Sequence, residues 1–236
     1  MANHERAGVK QERAGRTRAL LVQAAGEEFA ERGYAGTSLT RISRAAMATI
    51  GALTFHFPAK NELAEAVCER GCALTREAVG RAAGAARSPA EAVTEITGTL
   101  AALLEEQPVV RAAARLSREL RMRHDWREAW IPAVRTALTE AQRTGQLRAQ
   151  EPELVGVLVA CVVADLEVTA QRAYASPSCG AWSVRGRLAE VWEVLWSGIA
   201  GRRGPHPAGP PPPASAPVPG RAPGTPVRPG DGPPMA

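Results

Sequence analysis

The sequence predicts an all-α protein, in which a short N-terminal three-helix unit precedes a larger helical body. Three observations predict it. Ala, Leu, Val, Arg and Glu dominate up to about residue 200, which is a helix-forming composition. Apolar residues recur at three- and four-residue spacing, and β-branched residues nowhere alternate with period two. Gly and Pro interrupt those periods where helices stop and start.

The elements follow in order. Residues 1–14 are polar and basic and are expected to form a flexible arm. Leu21, Ala25 and Phe29 lie at i, i+4 and i+8, with Leu20 and Ala24 widening the stripe, so a helix is expected from about Arg16 to Arg32, stopping at Gly33. Thr37 or Ser38 caps the next helix, which turns Ile42, Ala45 and Ala46 inward. Thr49 caps a third, running through Phe55. Residues 15–60 are thus one unit. In residues 61–200 the chain restarts after Pro58 as a long helix carrying Leu63, Val67 and Leu74. "SPAE" at 88–91 is a helix start, with Ser88 as cap and Glu91 closing a capping box ahead of Val93, Ile96, Leu100, Leu103 and Leu104. Pro108 opens another helix, "RMRHDWRE" is a polar connection, and a further helix begins between Arg127 and Trp130 and ends at Gly145.

"EPELVGVLVACVVADLEVTAQRAYA" is apolar almost all round, which predicts a helix buried on more than one side. The last helix, about 183–200, carries Val184, Leu188, Val191, Trp192, Leu195, Trp196 and Ile199. It is expected to pack on its predecessor and across a subunit boundary. Residues 201–236 are rich in Pro and Gly and cannot bury enough surface to offset ordering, so they are expected to form a disordered tail.

Charge narrows the function. Net charge is +5, but residues 1–60 hold nine Lys/Arg against five Glu, and the tail holds four Arg against one Asp. The middle is mildly acidic, and a basic N-terminal unit suits a polyanion. No apolar run reaches the roughly 18 residues of a membrane span, and the N-terminus has no secretory apolar stretch, so a cytoplasmic location and no membrane partner are expected. Four cysteines in a reducing compartment do not form a disulfide framework. Cys68 and Cys72 share a helix face without a further ligand, so buried thiols are expected, and no metal or cofactor. No nucleophile-base set or phosphate loop marks an enzyme.

"TSLTRISRAAMATIGALTFHFPAK" (37–60) carries the chemistry. Two short helices and a tight junction read as a helix-turn-helix. Ile42, Ala45 and Ala46 anchor the first helix, and Leu53 and Phe57 the second. Thr49, Ile50, Ala52, Thr54 and His56 are left facing outward as DNA contacts. Arg41, Arg44 and Lys60 are placed for phosphates. Ordinary capping or solvation of Thr49, Thr54 and His56 is the competing reading.

"AAGEEFAERGYAGTSLTRIS" and "GALTFHFPAKNELA" resemble the N-terminal domain of the tetracycline-repressor (TetR) family over residues 14–68. The "FHFP-x-K" ending, "PVVRAAARLSREL" and "EAWIPAVRTALTEAQRTGQL" resemble its γ-butyrolactone receptor-like branch. The resemblance implies a homodimer that represses transcription from a palindromic double-stranded DNA operator at the nucleoid. A small molecule in a ligand-binding and dimerisation body, a butyrolactone-like signal or an antibiotic, releases it. It also implies that Trp130 sits in the ligand pocket, with Trp126, Leu104, Val110, Leu116 and Val163 as further wall candidates. For both tryptophans a core position is the competing reading. Met47 stands where the branch has Gly, Ile50 where Lys is frequent and Thr54 where Tyr is usual. Weakened or altered DNA binding is therefore expected. The rival function is a helical sensor or heterodimer partner that has lost DNA binding.

Overall fold

The structure, a computed structural model, describes residues 2–147, 152–175 and 184–199. The tail at 201–236, the "SPSCGAW" loop and Cys179 lie outside them. Nine α-helices and one 3-10 turn make up the described residues, with no strand among them. They are α1 (Ala2–Gly36), α2 (Leu39–Ala45), α3 (Ile50–His56), α4 (Lys60–Ala85), α5 (Pro89–Glu106), α6 (Pro108–Glu119), the 3-10 turn Trp126–Ala129, α7 (Ile131–Arg143), α8 (Pro152–Ala175) and α9 (Val184–Ile199).

The first helix starts earlier than its apolar period, so the segment read as a flexible arm is helical from Ala2. It stops where expected. Gly33, at φ 70° and ψ −179°, breaks the regular helix there in a backbone conformation that favours glycine, and one further turn runs to Gly36. Leu21, Ala25 and Phe29 are fully buried, and Ala24 nearly so. Leu20 is 57% exposed, so the stripe is narrower than its apolar residues imply.

α6 is the hub of the molecule. It lies between α1 and α4, at glycines on both. A Cβ at Gly26 would come within 2.7 Å of Val109, and one at Gly71 within 2.5 Å of the Ala113 Cβ. Two arginines one turn apart on α6 then bind the C-termini of its neighbours. Arg111, 3% exposed, donates from Nη1 to the carbonyls of Leu104 and Glu105 at the end of α5, at 2.6 and 2.7 Å. Arg115 donates from Nη1 to the carbonyls of Ala30 and Glu31 at the end of α1, both at 3.1 Å. A guanidinium satisfies orphan carbonyls there and meets the negative end of the helix dipole. Glu119, paired with Arg115 at 2.6 Å, accepts the N–H of Tyr34 at 2.7 Å.

The body completes a core continuous with that of the head. Ser88 caps α5 by accepting the Glu91 N–H at 3.1 Å, but Glu91 reaches back to the N–H of Arg87 rather than Ser88, so the box closes one residue early. Gly145, at φ 72°, ends α7 with the paired bonds Gln146 N–H to Ala141 O and Gly145 N–H to Gln142 O. α8 buries one stripe, Val155, Val159, Val163, Leu166 and Ala170, and exposes a second at Leu154, Val157 and Leu158. Within one chain it is therefore buried on one side only. α9 packs chiefly on α5 rather than on α8, and Trp192 donates from Nε1 to Thr97 Oγ1 at 2.8 Å. Cys68 and Cys72 are buried free thiols, and burial pushes the Cys72 thiol up to about 11.

Gly33→Ala is expected to destabilise the protein by about 2 kcal/mol. It adds the left-handed penalty of roughly 1–2 kcal/mol, and its Cβ would lie within 2.6 Å of the Arg115–Glu119 pair. A melting temperature lowered by about 4–8 °C checks this.

Candidate nucleic-acid interface and ligand cavity

The head is built by caps and a single apolar knot. Thr37 Oγ1 donates to Gly33 O at 2.8 Å and Glu28 O at 3.1 Å, closing α1, which leaves Ser38 as the cap of α2 through the Arg41 N–H at 3.2 Å. Thr49 caps α3 by accepting the Ala52 N–H at 3.1 Å. Ile42, Leu53 and Phe57 are buried beneath the two helices. Ala45 is exposed and Ala46 half-buried, so α2 is anchored by Ile42, with Leu39 half-buried beside it.

Between α2 and α3 the backbone at Met47 has φ 50°, the only positive φ of a non-glycine residue among those described. The turn therefore keeps its left-handed geometry with a methionine in it, at a cost of roughly 1–2 kcal/mol. The Met47 side chain is 96% exposed and offsets none of that cost by packing.

The outward face of α3 differs from the one read from sequence. With Leu53 and Phe57 inward, the direction opposite them belongs to Gly51 and Phe55, one helical turn apart. Phe55 is 81% exposed and Gly51 is open. Ile50 (48% exposed) and Thr54 flank that face, whereas Ala52 and His56 are half-buried at its edge. Phe55 is not among the outward residues read from sequence; the four-residue spacing of Leu53 and Phe57, which turns the residue between them outward, holds the signal for it. Thr54 Oγ1 donates to Ile50 O and Gly51 O at 3.0 and 3.2 Å, so its proton is engaged by its own helix.

The cations divide into two kinds. Arg41 and Arg44 are exposed on α2, Arg41 lying 3.7 Å from Glu28. Lys60 is half-buried, donates from Nζ to Tyr34 O at 2.9 Å and Thr37 O at 3.1 Å, and sits 4.1 Å above the Tyr34 ring. Two of its three protons are engaged, so it ties α4 to the end of α1 and has one left for a phosphate.

In the body a cavity of about 200 Å³ lies between the 3-10 turn, α7 and α8, lined by Arg127, Trp130, Ile131, Val134, Glu153 and Ala160 among others. Of the six ligand candidates only Trp130 lines it. Leu104, Val110, Leu116 and Val163 are fully buried in the core. Trp126 is buried too, and its Nε1 donates to Thr75 Oγ1 at 2.9 Å, a satisfied core position. Trp130 stacks obliquely on Trp126, with centroids 5.9 Å apart, and its buried Nε1 has no acceptor among the described residues. A buried donor without a partner costs about 1–3 kcal/mol.

Glu167 of α8 is buried, with Oε2 3.1 Å from Arg118 Nε, while Arg118 also donates to Gln171 at 3.0 Å. Burial pushes the Glu167 carboxyl up to about 7, against the pull of Arg118 and Arg127 and with Asp125 adding to the rise.

Residues 21–67 match the family "Bacterial regulatory proteins, tetR family". The chain is 30% identical to the A-factor receptor protein of Streptomyces griseus over 195 residues, 81% of this chain and 66% of that protein. It superposes on a γ-butyrolactone receptor crystal structure with TM-score 0.66 and 30% identity, covering 80% of this chain and 90% of the other. The chain belongs to the TetR family. Within the family it is similar to the γ-butyrolactone receptor branch. The structure of CprB from Streptomyces coelicolor in complex with its operator sequence also aligns, with TM-score 0.63, 31% identity and coverage of 80% and 90%. No helix among the described residues is long and apolar enough to cross a membrane.

Met47→Gly is expected to stabilise the protein by about 1 kcal/mol, the left-handed penalty less the backbone entropy of glycine, read as a melting temperature raised by about 2–4 °C. Glu167 binds a proton in the folded state between pH 4.5 and 7 that the unfolded chain releases. Its contribution to stability is therefore fully present below 4.5 and falls by up to about 1.4 kcal/mol per pH unit as pH rises to 7. The difference in stability between the wild type and Glu167→Gln, measured by denaturant unfolding across that range, should carry this slope.

Proposed function

We propose that this TetR-family chain is a ligand-responsive transcriptional regulator. A homodimer holds a palindromic double-stranded DNA operator through paired α3 helices and leaves it when a small molecule enters the body. The reading rests on one observation above all. An exposed α3 on a basic head shares a continuous core with a body cavity lined by Trp130, whose buried indole N–H has no acceptor among the described residues.

Each part has its own support. The second apolar stripe of α8 (Leu154, Val157, Leu158), together with Val194 of α9, is a surface that a second copy would cover. The cavity is below the roughly 300–1,000 Å³ of drug-sized sites, so it suits a compact molecule with an acceptor for Trp130 Nε1, which a lactone carbonyl supplies. The likeness to receptors named for A-factor and γ-butyrolactone points to the same class.

Coupling has a physical route. The cavity borders α8 and the 3-10 turn, and α8 is tied to α6 by Arg118. Ser117 of α6 accepts the N–H of Trp126 at 2.9 Å. α6 in turn holds the end of α1 through Arg115 and Glu119, and Lys60 links α4 to the same end. A ligand that shifts these helices moves the α2–α3 pair, and a coupling of 1–3 kcal/mol weakens DNA binding about 5- to 150-fold.

One observation favours a second reading. The strained Met47 turn and an α3 without Lys or Arg fit a sensor or heterodimer partner with impaired DNA binding. Gel shifts at low salt on fragments from the protein's own promoter region separate the two: a shift that weakens steeply with salt supports the regulator, and no shift on any fragment supports the sensor. Trp130→Phe, which keeps the ring and removes the N–H, should bind the same DNA as the wild type. It should also need about 2- to 12-fold more γ-butyrolactone to release it, the worth of one hydrogen bond. Release at unchanged concentration would remove Trp130 from the ligand site.

A further inference from the structure

The exposed face of α3 carries almost no hydrogen-bonding equipment. Side chains that read bases by paired hydrogen bonds are Arg, Lys, Asn, Gln, Asp and Glu, and α3 (Ile50–His56) contains none of them. Thr54 has its proton engaged by its own helix, Gly51 has no side chain, and His56 is half-buried. What the helix presents outward is apolar. Of the eight large hydrophobic residues that are exposed among those described, Ile50 and Phe55 lie on this helix and Met47 in the turn before it, a group separate from the exposed stripe of α8.

Phe55 stands at the centre of that face. Its ring is set edge-on to the His56 imidazole, with centroids 5.3 Å apart at 80°, which steadies its direction. One turn earlier Gly51 leaves the surface bare, since a Cβ there would meet nothing within 4 Å. A groove wall can therefore approach the flat side of the helix until it meets the ring.

The surroundings choose the occupant. Arg41 and Arg44 are exposed on α2, and residues 1–60 carry a net charge of +4. An apolar ridge in a basic setting fits a polyanion with apolar groups on its inner surface. Two apolar side chains on a seven-residue helix and one in the turn before it are also too few to bury the roughly 800 Å² per partner of a stable protein interface. The major groove has one apolar group, the C5-methyl of thymine.

The geometry points to Phe55, with Ile50 beside it, as the base reader of this head, and to the thymine methyl as the group it reads. This rests on the DNA-binding reading above and adds how sequence is chosen. Specificity comes from the positions of methyl groups, with phosphate contacts from α2 supplying sequence-independent affinity.

The test uses the full-length protein and duplexes that the wild type selects from a random-sequence library at low salt. Each selected duplex is then made with uracil in place of thymine, which keeps every hydrogen-bonding group and removes only the methyl. Wild-type affinity should fall about fourfold per contacted thymine, the worth of one buried methyl-sized group. Phe55→Ala should lose a similar factor on the thymine duplex and bind both duplexes equally, while Phe55→Leu restores part of the discrimination. Arg44→Ala should weaken both duplexes alike and keep their ratio. Melting curves of the Phe55 variants should match the wild type, because the ring is outside the core. Equal wild-type affinity for thymine and uracil duplexes, or discrimination retained by Phe55→Ala, overturns the assignment while leaving DNA binding standing. Selection of no duplex at all removes the DNA reading and this inference with it.

Discussion

The binding of helix C-termini by two arginines of α6 is the constraint on which the rest of the structure depends. Each helix ends with carbonyls that no intrahelical donor reaches. Arg111 answers those of α5 and Arg115 those of α1, one turn apart on one helix. Both ends become fixed relative to α6, and the glycines at 26 and 71 let it approach α1 and α4 closely enough for those bonds to form. The direction of α1 at Gly33, and hence the placing of α2 and α3, descends from this arrangement. Fixing a long side chain costs rotamer entropy, which the buried Arg111 guanidinium offsets through charge-assisted bonds to its carbonyl partners.

Much of this was legible in the residues, because helices leave a period and ends leave a cap. The stop at Gly33, the caps Ser38, Thr49 and Ser88, the Pro108 restart and the end at Gly145 are all local events, decided within one turn of chain. What failed was direction around the axis on very short helices. Seven residues give fewer than two turns, so with Leu53 and Phe57 rightly inward the remaining positions still divide poorly by pattern: Ala52 and His56, read as outward, are half-buried, and Phe55 is exposed. The same limit moved Ala45 from core to surface.

Partnership between distant residues was not legible at all. Lys60 looks like a phosphate cation until the carbonyls of Tyr34 and Thr37 are seen beside it. Trp126 and Trp130 are alike in composition and four residues apart, yet Thr75, from a helix about fifty residues away, satisfies one indole and not the other. Arg115 and Glu119 reach α1 across some 85 residues, and no local pattern announces that reach. Sequence periodicity shows which residues are buried and is silent on which polar atoms find each other.

The continuity between head and body bears on how far the head is a module. α2 and α3 are seven residues each, too short to hold helical form alone in water. Their shared core rests on α1, whose end is held by side chains from more than eighty residues further along the chain. An evolutionary or laboratory chimaera that exchanges operator preference by transplanting the first sixty residues would leave behind the helix that sets their geometry. The unit whose geometry is held together is the head with its α6 bracket, because Arg115 and Glu119 hold the end of α1 on which α2 and α3 rest.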